Sequence, residues 1–498
     1  MKRSLLFALL LGATAASVHA ADLKIGLESD PDALDPDKSR TFVGRIVFTS
    51  LCDKLADITP ELEIVPQLAT GWTTSDDGKV LTLTLRDGVT FHDGTPFNAE
   101  AVKANIERSK TLEDSVRKSE LASIDTVDVV DDLTVRFNLK APDATLMAQL
   151  ADRAGMMMAP SALGPDYAAN PVCSGPFKFV ERSAQDKIVL DRYAGYWNAD
   201  AIKLDRVTFV IIPDSTVRLA NLQSGDIHIV NQLAATDAAA VEAAPGLTFA
   251  NVTGLGYQGL TFNLANGEMA DNPAGKDARV RKAFDLSIDR DVINQVVFNG
   301  LFTPASQPFT PQSPYYNPDF PVVKRDVEAA KALLAEAGVT APVKIKVQIP
   351  NTPVTMQLGQ VIQSMAAESG FEVELVAKEF ATLIADASKG DFQISQQGWS
   401  GRVDPDGNIH AFVTTGAGFN DGHYSNADVD RLLNDARKST DSAARVELYK
   451  QATAILAVDR PLIYLYHLGW LYGLSDKVQG LTLYPDGMLR MEGVSLAE

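Results

Sequence analysis

The chain has 498 residues and a formal net charge of −19, with 46% hydrophobic and 7% aromatic residues. That is enough apolar material for folded cores, so a disordered chain is excluded, and the length allows roughly two to four domains. The acidic balance repels nucleic acid and anionic lipid, so neither is expected as a partner.

Residues 1–20 read as a secretory signal peptide. Lys2 and Arg3 precede the apolar run Leu5 to Val18, and Val18-His19-Ala20 is a small-residue cleavage site. Cleavage is expected after Ala20, leaving a free, soluble, periplasmic protein; no Cys stands near the site to carry a lipid. No later stretch approaches the roughly 18 apolar residues that a membrane span needs. In that oxidising compartment Cys52 and Cys173 are either one disulfide or two buried thiols.

Asp22 to Leu27 reads as a strand, followed by a loop carrying Pro31, Pro36 and several Asp residues. The polar run Lys38-Ser39-Arg40-Thr41 then leads into a helix, Phe42 to Lys54, with Val43, Ile46, Val47 and Leu51 on one face. Val80 to Leu85 alternates as a half-buried strand, Asn98 caps a helix through Arg108, and Asp125–Val130 with Leu133–Leu139 form a hairpin. Further strands follow at Gly175–Val180, Lys187–Tyr193, Val207–Ile212, Asp226–Val230 and Tyr257–Leu264, with a helix Ser215–Ser224 stopped by Gly225.

Beyond residue 265 helices and strands alternate. Asp326 caps a helix from Val327 to Ala337; the strand Val343–Ile349, helix Pro353–Ser369, strand Phe371–Ala377, helix Phe380–Ser388 and strand Asp391–Gln397 follow. This βαβαβ order predicts a mostly parallel sheet. Its last strand runs into Gln396-Gln397-Gly398-Trp399-Ser400-Gly401-Arg402-Val403-Asp404-Pro405-Asp406-Gly407-Asn408. Pro405 between two carboxylates predicts a turn rather than a helix, and a loop leaving the carboxyl end of such a strand is where open α/β sheets bind ligands.

The run Val65-Pro66-Gln67-Leu68-Ala69-Thr70-Gly71-Trp72 and the run Leu85-Arg86-Asp87-Gly88-Val89-Thr90-Phe91-His92-Asp93-Gly94-Thr95-Pro96-Phe97 resemble the peptide/nickel family of periplasmic substrate-binding proteins of ABC importers. Leu34-Asp35-Pro36, Ser174-Gly175-Pro176-Phe177, Ser224-Gly225-Asp226-Ile227 and Val280-Arg281-Lys282-Ala283-Phe284 support the resemblance, in order, over the whole mature chain. It implies an α/β, two-lobed, type II Venus-flytrap fold with an extra α+β domain. The first lobe would comprise 21–65, 173–262 and 468–498, the extra domain 66–172, and the second lobe 263–467. A small-molecule or peptide-like ligand would be captured between the lobes by a monomer and delivered to membrane permease subunits, with no cofactor and no bond made or broken.

In peptide-binding relatives the third residue after the Trp of the Gly-Trp motif is typically an Asp that pairs with the ligand's α-amino group; here it is Arg402. The loop after Leu-Asp-Pro carries Arg40 where oligopeptide binders have an acid, and Arg117 of the extra domain is a third candidate. Arginine holds carboxylate or phosphate through paired hydrogen bonds, so these residues point to an anionic peptide-like or conjugated ligand. Asp404 joins them as a site candidate, and the alternative is that Arg402 merely pairs with Asp404 or Asp406. Phe42, Tyr257, Phe380 and Trp399 are candidate apolar walls, though cores use the same residue types.

An enzyme is disfavoured: no zinc-binding histidine spacing and no G-x-S-x-G elbow is present. A metal-chelate binder using His410 or His423 and an ordinary di- or oligopeptide binder remain rival readings.

Overall fold

The computed structural model describes residues 21–497, so the expected signal peptide lies outside the described residues. Asp22–Leu27 is the central strand of a seven-stranded sheet; its alternate residues Leu23, Ile25 and Leu27 are fully buried. It pairs in parallel with Arg206–Ile211 on one side and Ile229–Asn231 on the other. Lys187–Arg192 and Phe177–Ser183 extend one edge, and Gly469–Ser475 and Leu247–Thr253 the other, through antiparallel pairings. The helix Phe42–Leu51 packs onto this sheet through Val43, Ile46, Val47 and Leu51. It ends earlier than the expected Lys54 because the backbone is already extended at Cys52. Cys52 is disulfide-bonded to Cys173 in the same core.

The extra α+β unit is a four-stranded antiparallel sheet of Ala69–Thr74, Val80–Leu85, Thr134–Leu139 and Ile124–Asp131. The helix Ala99–Thr111 covers it, started by Asn98, whose side chain accepts from the Ala101 N–H. Its separate core includes Leu83, Phe91, Val102, Ile106 and Phe137.

A six-stranded sheet organises the second lobe. Val343–Pro350 runs parallel to Phe371–Lys378 and Ile394–Trp399, as the βαβαβ reading expects. Tyr257–Phe262 and Leu462–His467 pair antiparallel, so the sheet is mixed rather than mostly parallel. The strand Tyr257–Phe262, expected in the first lobe, thus belongs to the second-lobe sheet. The reason is non-local: its partners lie more than a hundred residues downstream, where no local pattern reveals them.

The chain therefore passes between lobes at Gly254–Gly256 and at Leu468. Both segments are packed backbone to backbone: a Cβ on Gly256 would sit 1.9 Å from the Trp399 carbonyl oxygen, and the Gly254 N–H donates to Leu468 O at 2.7 Å. Buried His467 ties the crossings together, its Nδ1 2.9 Å from the Gly256 carbonyl. Since a carbonyl only accepts, this nitrogen carries the proton.

Candidate functional site: an arginine cluster between the lobes

The strand Ile394–Trp399 ends in a loop, Ser400–Pro405, and a helix begins at Asp406 and runs to Val413. The expected turn is therefore shorter than its sequence: Pro405 stands at the helix N-cap, where its missing N–H leaves no hydrogen bond unmade. Gly401 has φ +88°, and a Cβ there would come within 2.6 Å of the Leu255–Gly256 backbone. The loop is thus seated on the interlobe crossing. Asn408 braces it, its Oδ1 accepting from Arg402 N–H at 2.6 Å and Trp399 Nε1 at 3.2 Å, while its Nδ2 donates to Arg402 O at 2.8 Å.

Both acids of the loop are taken by arginines of the following helices. Asp404 accepts two hydrogen bonds from Arg445, at 2.9 and 3.0 Å, and Asp406 two from Arg437, both at 2.7 Å. Arg402 therefore pairs with neither. Its guanidinium lies 4.4 Å from the Trp399 ring centroid and reaches across to the first lobe, with Nε 3.5 Å from Asp152 Oδ2. Asp152 is also held by Arg45, through Nε at 3.1 Å and Nη2 at 2.8 Å.

Arg153 and Arg117 complete the group from the first lobe. Arg153 Nη1 donates to the carbonyl of Ser39 at 2.7 Å; Arg117 Nη2 approaches the same oxygen at 3.5 Å, and its Nη1 pairs with Glu120. Four guanidinium groups thus share two carboxylates, Asp152 and Glu120. Arg45, Arg117 and Arg153 are only 4–5% exposed, yet Arg45 Nη1, Arg117 Nε and Arg153 Nε have no hydrogen-bond partner.

Electrostatics record the imbalance. Burial and then the like charge of Arg45 push Arg402 down to about 10. Burial and the neighbouring Arg117 push Arg153 well below its ordinary value. Burial alone would raise Asp152, but Arg45, Arg402 and Arg153 outweigh it and hold its carboxyl well below the usual range. Next to Arg402 a cleft of about 730 Å³ opens between the lobes, lined by Leu62, Ile64, Phe309, Tyr315, Val403 and Leu255 among others.

Arg117, Trp399 and Arg402 are thus brought together, while the other expected residues stand elsewhere. Arg40 is exposed; only its backbone N–H is fixed, on Asp32 Oδ2 at 2.7 Å, because its neighbours Ser39 and Thr41 turn inward. Phe42 stacks on Trp470 with centroids 4.4 Å apart. Tyr257 is a core residue, packed edge-on against Tyr464 at 4.8 Å. Phe380, first residue of its helix, is 56% exposed. Asp404 lines the cleft but is saturated by Arg445. His410 Nε2 lies 3.1 Å from Asn434 Oδ1, and among the described residues no group of three His, Cys, Asp or Glu side chains could hold a metal ion. Arg45, Arg153, Asp152 and Glu120 were not anticipated. One signal existed for Arg45: it is the only charge in the apolar helix Phe42–Leu51.

Two lobes joined by paired crossings, with a charged group closing the gap between them, define a solute-binding protein. Residues 63–420 match the bacterial extracellular solute-binding proteins, family 5. The chain is 30% identical to a glutathione-binding protein of Pectobacterium atrosepticum, over 98% of this chain and 97% of that one. It is 28% identical to the dipeptide-binding protein of Escherichia coli K12, over 97% and 96% of the two chains. Its structure resembles that of the agropinic acid complex of the periplasmic binding protein AgaA from A. tumefaciens R10 (TM-score 0.84, 27% identity, 96% of this chain and 99% of that chain). The chain belongs to family 5, whose members are substrate-binding components of ABC importers and not enzymes.

Proposed function

We propose that the protein captures an anionic peptide-like or conjugated solute between its lobes, in the periplasm, and presents it to its importer's permease. The observation that carries this reading is the surplus of buried arginine over carboxylate, with three N–H groups lacking partners. Arg402 and Trp399 supply the second lobe's contacts; Arg45, Arg117 and Arg153 supply the first lobe's. An anion shared by both sides binds the closed arrangement better than the open one, which is the condition for a ligand to drive closure. Relatives named for glutathione and a structure holding agropinic acid support a solute of this kind. An ordinary peptide's ammonium finds no free acid here, since Asp152, Asp404 and Asp406 are all bound by arginine.

Titration calorimetry with N-acetyldialanine and with dialanine, which differ in the free ammonium, tests this. Binding of N-acetyldialanine, lost in Arg402→Ala, is expected. Binding of dialanine in preference to N-acetyldialanine would overturn the reading.

A further inference from the structure

Resting on the reading of the arginine cluster as the ligand site, we propose that the solute is a dianion: two carboxylates held close together, or one doubly ionised phosphate. The charge count carries this. Arg45, Arg117, Arg153 and Arg402 bring four positive charges to a buried region, and Asp152 and Glu120 return two. Two charges are left over. A buried charge without a counter-ion is costly, so the bound state is best satisfied when the ligand brings both missing negatives.

The hydrogen bonds point the same way. Arg45 Nη1, Arg117 Nε and Arg153 Nε are buried donors with nothing to donate to. A single carboxylate brings one negative charge, which answers one of the two positive charges left over. A second carboxylate, or the third oxygen of a phosphate, brings further acceptors to this set. Within the cleft itself the acids cannot serve an ammonium: Asp404 is occupied by Arg445, and Glu61 stands at the exposed rim. The rest of the solute would then be an uncharged body lying along Leu62, Ile64, Leu255 and Tyr315.

The probes are N-acetylglutamate, with two carboxylates and no ammonium, and N-acetylglutamine, its monoanionic isostere. N-acetyl-O-phosphoserine is the phosphate arm. Affinity is read by thermal shift and calorimetry at matched ionic strength. The diacid or the phosphate is expected to bind at least tenfold more tightly than N-acetylglutamine, and Arg153→Gln should shrink that ratio. If the phosphate probe is preferred and tightens as pH rises through its second ionisation near about 6, the phosphate source is identified. A pH-independent preference for N-acetylglutamate identifies the dicarboxylate. Equal affinities for the diacid and its monoanionic isostere would overturn the dianion while leaving anion capture in place. No dianion shift at millimolar concentration also overturns it. Binding of dialanine with no response to any anion would remove both readings.

Discussion

Arg153 has few compensations. Its Nη1 reaches the Ser39 carbonyl, its Nε reaches nothing, and three other guanidinium groups surround it. Burying a charge without a paired counter-ion is costly, and removing it relieves that cost. Arg153→Met is therefore expected to raise the melting temperature of the ligand-free protein and to weaken ligand binding, two effects that calorimetry and thermal melts separate. A stabilised variant that binds normally would place Arg153 outside the site. Arg402 differs, because its neighbours orient it: Trp399 lies under the guanidinium, Asn408 holds its backbone and Asp152 is shared with Arg45. Arg402→Lys keeps the charge but loses the planar stack and the paired donors, so a loss of about tenfold or more in affinity is expected. At this scale the sequence was partly legible. Arg402 stands out because a motif residue has changed charge. Arg45 is marked only as the one charge in its apolar helix and Arg153 is not marked at all, because nothing local says that Arg45 and Arg402, each more than a hundred positions from Asp152, will share it.

The strand-to-helix element that carries Arg402 is held by two bidentate ion pairs to the helices behind it. Removing one partner of such a pair leaves the other buried and uncompensated, at about 3–5 kcal/mol. Asp404→Asn is accordingly expected to destabilise the second lobe, measured by urea unfolding, whereas a ligand contact at Asp404 would instead reduce affinity at unchanged stability. Burial lowers His467 from 6.5 to about 4, and burial lowers His92 to a similar value. The unfolded chain binds these protons first, so stability is full above about pH 6.5 and falls as pH drops towards 4, by about 3 kcal/mol for each group. His467→Gln should flatten part of that slope in pH-dependent melts; an unchanged slope would mean the imidazole titrates normally. Elements were the most legible level, because caps and periodicity are local. The helix Ser215–Ser224 and its Gly225 stop, and the Asp326 cap, fall where the sequence puts them. The strand Tyr257–Phe262 also falls within its expected range, but its antiparallel pairing with Leu462–His467 and Ile394–Trp399 is a property of the assembled sheet that no local pattern shows.

At the scale of the molecule, the described residues are organised by a seven-stranded and a six-stranded sheet, an added α+β unit and a pair of crossings. The Cys52–Cys173 disulfide closes a loop of 121 residues that contains the added unit. By chain entropy such a link stabilises the fold by about 4–5 kcal/mol, so reduction should lower the urea midpoint by a matching amount; an unchanged midpoint would show that the link is dispensable. The two-lobed plan was legible because the family's motifs are spread along the chain in order. The chemistry of the gap between the lobes was not, because it exists only once the folded chain brings Arg402 to Asp152. An anion held in this gap should stay with the protein through purification. Native mass spectrometry of the purified protein, before and after mild unfolding, tests it most directly. A released small molecule bearing carboxylates or phosphate is the expected result; a released mixture of ordinary peptides with free amino termini would contradict it.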